Sequence, residues 1–296
     1  MDLRQLRYFI TIVQEMSYSK AAKSLHISQP SLSNAIMKLE KEVDLQLLQR
    51  NTRGIELTEA GALFYTRSQD LLRRFHNMQV ELEEMKQVGS GNISIGSIES
   101  FKFWFPKIIR TFKNDHPAIR LKVREILGEE QVIDSLNQYQ VHFTITNQPI
   151  NFAEITSAPL YKEKFKLLVH KDDDLNEKDS VTIQDLEEKE LIISASGFQT
   201  RDDIIEAFRN EKVIPNICYE IERLETACSL VDEGLGIAIL PESYIESAAT
   251  GNTAIIEIHS MFLQRTVYMA YLTDRYLPAS VCSLMNEIES FFKNKQ

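Results

Sequence analysis

Gln29, Ser33, Asn34, Met37, Lys38 and Lys41 fall on one side of a segment whose other side is Leu32, Ile36, Leu39 and Val43. Spacings of three and four residues make that segment a helix with one apolar face. Amide, hydroxyl and ammonium groups along the opposite face are those that hydrogen-bond base edges and phosphates in a DNA groove. The start of this helix is also marked: Ser28 supplies an N-cap oxygen, and Pro30 falls in the first turn, where its missing N–H has no partner to lose. Beyond it, Arg50-Asn51-Thr52-Arg53-Gly54 reads as a turn leading into Ile55-Glu56-Leu57, short and alternating like part of a β-ribbon. Arginines at such a tip reach phosphates or a minor groove; the alternative is two solvated surface charges.

The elements that must hold this face are short. Leu3, Leu6, Phe9, Ile10 and Val13 predict a first helix ending near Glu15-Met16. Ser17 caps a second helix with Ala21, Ala22 and Leu25 inside, and His26-Ile27 forms the turn. The candidate DNA contacts of this head are Ser17, Ser19, Lys20, Ser28, Gln29, Pro30, Ser31, Ser33, Asn34, Lys38, Arg50 and Arg53. From Thr58 to about Lys86 there is no proline, and Phe64, Ser68, Leu71, Phe75, Met78, Leu82 and Met85 recur at alternating steps of four and three. Such a heptad seam implies a long helix that pairs with a second copy, with Leu71, Phe75, Met78 and Leu82 at its centre. A single amphipathic helix lying on its own domain is the alternative. Val88-Gly89-Ser90-Gly91 then reads as a hinge.

The remaining residues alternate strand-like and helix-like segments, an α/β arrangement. Strands are expected at Ile93–Ile98, Arg120–Ile126, Phe143–Thr146, Phe165–His170, Leu191–Ser194, Cys218–Ile221, Ile237–Leu240 and Val267–Leu272. Helices are expected at Phe103–Asn114, Glu130–Gln138, Ile183–Leu186, Arg201–Asn210, Glu225–Glu233, Glu242–Ser247 and Ala279–Lys293. With 296 residues, 43% of them hydrophobic, the chain is long enough for more than one core. The net charge of −10 is unevenly spread: residues 1–58 hold eight basic and six acidic groups, so the head is +2 and the remainder −12. DNA affinity therefore depends on local placement of Arg4, Lys20, Lys38, Arg50 and Arg53 and on oligomeric binding, not on a broad basic surface.

Several function classes lose support. No apolar run approaches about 18 residues, and Met-Asp-Leu-Arg lacks the apolar region of a signal peptide, so the cytoplasm is the expected location. The six histidines are scattered with no His-Glu-x-x-His or Cys/His spacing, so no metal is expected. There is no Gly-x-Ser-x-Gly elbow and no glycine-rich phosphate loop, so neither an enzyme nor a bound cofactor is expected.

Leu6-Arg7-Tyr8-Phe9, Ser17-Tyr18-Ser19-Lys20-Ala21-Ala22, Leu25 through Ser33, Leu39-Glu40, Arg50 and Leu57-Thr58-Glu59-Ala60-Gly61 together resemble the amino-terminal signature of LysR-type transcriptional regulators. Phe105-Pro106, Phe112, His116-Pro117 and Leu230 through Pro241 are similar to that family's effector domain. The resemblance implies a winged helix-turn-helix over 1–58, a dimerising linker helix over 59–88, and a two-lobed effector-binding domain over 89–296 that is similar to periplasmic binding proteins. Its first lobe is expected at about 92–162 with 265–296, its second at about 163–264. It further implies a regulator that binds an interrupted inverted repeat in promoter DNA, assembles as a dimer and as a tetramer made from dimers, and responds to a small molecule. Departures from the family pattern are Asp44, Leu48, Asn34, and Tyr139 and His142 where the family usually has glycine and aspartate.

In open α/β sheets, ligands sit outside the carboxyl ends of strands, where helix N-termini converge. Those places are Ser100, Phe101 and Lys102; Thr146 and Asn147; Phe198, Gln199, Thr200 and Arg201; and Arg223. Lys102, Arg201 and the amides suit a carboxylate or similar anion, and Trp104 either packs beside it or belongs to the core. Some members of the family sense peroxide through a disulfide, but Cys218 on a strand and Cys228 on a helix face read as buried thiols.

Overall fold

The molecule is described by a computed structural model covering residues 1–51, 54–86, 90–248 and 251–293. It divides into two compact units, Met1–Glu83 and Glu84–Gln296.

In the first unit, α1 (Leu3–Glu15) begins with a reciprocal cap: the Asp2 carboxylate accepts the Gln5 N–H, and the Gln5 side chain accepts the Asp2 N–H, each at 2.8 Å. Ser17 caps α2 (Tyr18–Ser24), and Ser28 caps α3 (Gln29–Val43) by accepting the Ser31 N–H. Leu6, Phe9, Ile10, Ala21, Ala22, Leu32, Ile36 and Leu39 form the core as their spacing predicts. Ile12, off the predicted stripe, is also fully buried, because α1 packs against both α2 and α3 and so buries a wider face.

The ribbon follows as β1 (Leu48–Asn51) paired antiparallel with β2 (Gly54–Leu57). Arg50 and Asn51 therefore belong to a strand, not to the turn expected there, and Arg50 stands opposite Ile55. The register leaves only two residues to connect the strands, Thr52 and Arg53, and both lie outside the described residues. Glu40 of α3 accepts the N–H groups of Leu47 and Leu48 (2.7 and 3.1 Å), fixing the ribbon to the third helix.

The long helix α4 (Glu59–Lys86) starts against this core. Phe64 packs edge-on to Phe9 at 5.2 Å and Ser68 is buried, so these two residues leave the expected seam. Leu71, Met78, Leu82 and Met85, by contrast, are 45–52% exposed, and Phe75 is half-buried. Val88 and Gly89 of the expected hinge lie outside the described residues.

The second unit runs β3 (Gly91–Ser97), α5 (Phe101–Asp115), β4 (Ile119–Glu125), α6 (Glu129–Asn137), β5 (Phe143–Thr146), β6 (Ile155–His170), β7 (Ser180–Val181), β8 (Glu190–Ser194), α7 (Gln199–Asn210), β9 (Asn216–Ile221), α8 (Leu224–Asp232), β10 (Ile237–Pro241), α9 (Glu242–Ala248), β11 (Thr253–Ile258), β12 (Gln264–Leu272) and α10 (Ala279–Lys293). The strand order is β4-β3-β5-β12-β6-β10-β8-β9, with β11 on β6 and β7 on β11. Strand β6 serves two lobes: residues 155–164 pair with β12, and residues 165–170 pair with β10 and β11. Each lobe has its own core, one around Ile93, Trp104, Phe112, Phe143 and Ile288, the other around Phe165, Ile193, Phe208 and Ile239.

Some expectations change. Strand β6 begins ten residues before the expected Phe165, because its early part is a connection between lobes and carries Lys162, Glu163 and Lys164 in place of an apolar run. Strands β7 and β11 were not foreseen, and the helix expected over 183–186 is one 3-10 turn, Gln184–Leu186.

Gly61 explains one signature residue: a Cβ there would stand 2.0 Å from the Leu47 carbonyl oxygen. Gly61→Ala must push α4 off the ribbon, and we expect about 1–3 kcal/mol of destabilisation, measured by urea or thermal unfolding. An unchanged midpoint would show that this approach is not tight.

Candidate functional site

The polar face of α3 is solvent-facing as its spacing implies. Gln29, Pro30, Asn34, Met37, Lys38 and Lys41 are exposed, while Ser33 is half-buried. The hydroxyl of Ser19, exposed on α2, donates to Gln29 Oε1 at 2.9 Å, so the Gln29 oxygen is engaged and its NH2 is the group with donors to offer. Lys20 is exposed beside it. The serines divide by role: Ser17 and Ser28 cap helices, and the Ser31 hydroxyl lies 2.7 Å from the capping hydroxyl of Ser28. Arg53 lies outside the described residues, and Arg50 contributes its backbone to β1.

In the second unit the lobes meet at a cavity of about 90 Å³. Glu99, Glu125 and Leu127 line it from the first lobe, and Ser194, Phe198, Thr200, Glu222, Arg223, Leu224 and Glu225 from the second. Phe198, Thr200 and Arg223 are thus brought together as expected by position. The other expected contacts are engaged elsewhere. Lys102 of α5 forms an ion pair across the lobes with Glu225 of α8, its ammonium 4.7 Å from the Tyr244 ring. Arg201 donates to the Ser194 carbonyl (2.7 Å) and pairs with Glu220 (2.9 Å). Ser100 is fully buried with its hydroxyl 3.4 Å from that of Tyr161, and Thr146 and Asn147 are buried at the end of β5. Gln199 donates to Asp203 at 2.8 Å. Phe101 turns into the lobe core and stacks on Phe105 at 3.9 Å, and Trp104 is core as well.

Behind the cavity, buried Arg265 joins what the sequence kept apart. Its Nε donates to Glu163 (2.8 Å) and its Nη1 to Glu99 (3.0 Å) and to the Thr200 hydroxyl (3.2 Å). Burial opposes its charge, but Glu99 and Glu163 outweigh that and hold the guanidinium protonated. Glu163 also accepts the Ser243 hydroxyl. A larger open hollow of about 950 Å³ lies alongside, lined by Phe103, Trp104, Tyr161, Glu163 and Phe292 among others. Cys228 is buried, and burial followed by the Glu225 charge pushes its thiol up to about 11. Cys218 is exposed, contrary to expectation, because β9 is an edge strand.

Residues 3–62 match the bacterial regulatory helix-turn-helix protein of the lysR family, and residues 86–293 match the LysR substrate binding domain. The chain belongs to the LysR family. The nitrogen assimilation regulatory protein nac of Klebsiella aerogenes is 32% identical over 276 residues, 91% of this chain and 89% of that one. The HTH-type transcriptional regulator BenM of Acinetobacter baylyi is 31% identical over 250 residues, 82% of this chain and 81% of that one. A crystal structure of full-length BenM superposes with a TM-score of 0.63 at 27% identity, covering 100% of this chain and 98% of that one. This LysR-family chain is a transcriptional regulator with a helix-turn-helix DNA-binding domain and an effector-binding domain, and its relatives are regulators, not enzymes. No helix among the described residues is long and apolar enough to cross a membrane.

Two departures from the LysR pattern meet at one place. Tyr139 adopts φ +56°, the left-handed region where glycine is cheapest and a side chain costs about 1–2 kcal/mol. Its ring offsets this by lying under the Arg275 guanidinium at 4.0 Å. Arg275 also donates to the Val141 carbonyl (2.7 Å) and to Glu84 in the last turn of α4 (2.8 Å). His142 Nδ1 accepts the Ser94 N–H at 2.9 Å, which puts the ring proton on Nε2, 3.2 Å from the same Glu84 oxygen. Burial works against ionisation of Glu84, but His142 and Arg275 prevail and hold its pKa below the usual carboxylate value. A carboxylate depressed in the folded state stabilises above its unfolded pKa and loses that contribution as pH falls through the folded one. Glu84→Gln should therefore lower Tm at pH 7, and the gap to the parent should close as pH falls through and below the ordinary carboxylate range. A pH-independent gap would mean that packing, not charge, accounts for the effect.

Proposed function

We propose that residues 1–58 read promoter DNA by placing α3 in the major groove, with Gln29, Ser33, Asn34 and Lys38 toward base edges and Ser19, Lys20, Arg50 and Arg53 toward the backbone or minor groove. The observation that carries this reading is the exposed polar face of a capped α3 with Gln29 oriented by Ser19. Residues 59–88 pair two copies through the exposed Leu71, Met78 and Leu82 together with Phe75, so that two heads meet an interrupted inverted repeat; dimers then associate as tetramers. Residues 89–296 sense a small molecule at the interlobe cavity, with Phe198, Thr200 and Arg223 as contacts. The protein acts in the cytoplasm, where DNA is its macromolecular partner.

Gln29→Ala should weaken binding to the cognate site by about 1–3 kcal/mol and leave random-sequence binding unchanged. Arg53→Ala should weaken both and reduce the salt-dependence slope by about one. Fluorescence-anisotropy titrations on both DNAs distinguish these; equal losses for Gln29→Ala on both would falsify the base-reading role.

Leu71→Glu with Met78→Glu puts like charges across the paired helices and should yield monomers that bind a full site poorly. Sedimentation of the parent oligomer by the double variant would remove this helix as the main contact between copies.

A further inference from the structure

We propose that the interlobe cavity selects a small molecule bearing positive charge, an amine or a guanidinium-type group, and disfavours simple carboxylates; this rests on the reading of that cavity as the effector site. The wall carries four carboxylates, Glu99, Glu125, Glu222 and Glu225, against one guanidinium, Arg223. Three neighbouring cations are matched already, Lys102 by Glu225, Arg201 by Glu220, and Arg265 by both Glu99 and Glu163, which leaves Glu125 and Glu222 against Arg223 in the wall. Glu125 and Glu222 are exposed and form no ion pair among the described residues, so two carboxylates outnumber the one guanidinium left in the wall. Asp203, one turn along α7 from Thr200, keeps its Oδ2 buried without a hydrogen-bond partner, so acceptor capacity beside the cavity is unfilled.

The remaining wall suits the same ligand. Phe198 presents an aromatic ring, and Leu127 and Leu224 are apolar, an environment for an alkyl stem with a cationic end. A cleft with an excess of one sign of charge and low-dielectric walls focuses the field and concentrates counter-ions, while a carboxylate entering past Glu125 and Glu222 meets repulsion. The volume of about 90 Å³ accommodates the head of such a molecule and a few carbons.

The test places a thiol in the cavity of the full-length chain. In a Cys218→Ser, Cys282→Ser background, Phe198→Cys is reacted with the ethylammonium and the ethylsulfonate methanethiosulfonates, and the rate ratio is divided by that for 2-mercaptoethanol. Leu127→Cys supplies an independent thiol should Phe198→Cys fail to fold. We expect the cationic reagent to be favoured about tenfold or more at low ionic strength, with the preference collapsing in Glu125→Gln/Glu222→Gln and in about 0.5 M salt. A corrected ratio of one or less overturns the proposal. Protection of the same thiol by n-butylamine or putrescine, but not by butyrate or succinate, supports it. Protection by the carboxylates alone overturns the charge assignment and leaves the cavity as the effector site. A compound that raises Tm without slowing modification at either position removes the cavity itself.

Discussion

The pairing of Arg265 with Glu163 is the constraint on which the effector-binding unit rests. The two residues stand directly opposite in the β12–β6 ladder, at the point where β6 passes from one sheet to the other. Taking either charge out of water alone is costly, and removing one partner of a buried pair typically destabilises by about 3–5 kcal/mol because the other is left uncompensated. The guanidinium meets that demand with donors to spare, and those donors reach Glu99 beyond β3 and Thr200 at the start of α7. Glu163 reaches Ser243 at the start of α9. One buried pair therefore fixes the positions of three segments from both lobes around the cavity.

The head of the chain was legible because its determinants are local. Capping serines, a proline in the first turn and apolar residues three and four apart specify α1, α2 and α3 within stretches of fifteen residues or fewer. The cavity was legible only by position. Strand ends named Phe198, Thr200 and Arg223 correctly as neighbours, but the ion pairs Lys102–Glu225 and Arg265–Glu99 span 123 and 166 residues and leave no periodic trace. Strand β6 was half hidden for a related reason: its first part is rich in polar residues such as Thr156, Ser157, Lys162, Glu163 and Lys164, so apolar periodicity has little to match. Phe64 and Ser68 show the converse, since a heptad pattern cannot say which of its members face the same chain and which face another.

The departures from the family pattern are physically connected. A tyrosine in a left-handed conformation and a histidine in place of an acid look unrelated in sequence, yet both converge on Arg275 and Glu84. The aromatic ring shields the guanidinium, and the imidazole and guanidinium share one carboxylate at the end of α4. A conformational cost at one residue is thus balanced by contacts that exist only because that residue has a side chain.

Strand β6 has a mechanical meaning. It is hydrogen-bonded to β12 over nine residue pairs and continues without interruption between β10 and β11, so the lobes share one length of paired chain. A strand laddered along its whole length, to β12 in its first part and to β10 and β11 in its second, resists stretching and shear, whereas strand twist varies readily between proteins by tens of degrees. Twist along β6 is therefore the deformation that its ladders oppose least. Under such a twist the Arg265–Glu163 pair, which belongs to the ladder itself, is displaced least, and the Lys102–Glu225 pair, which bridges α5 and α8 across the lobes, takes up the change.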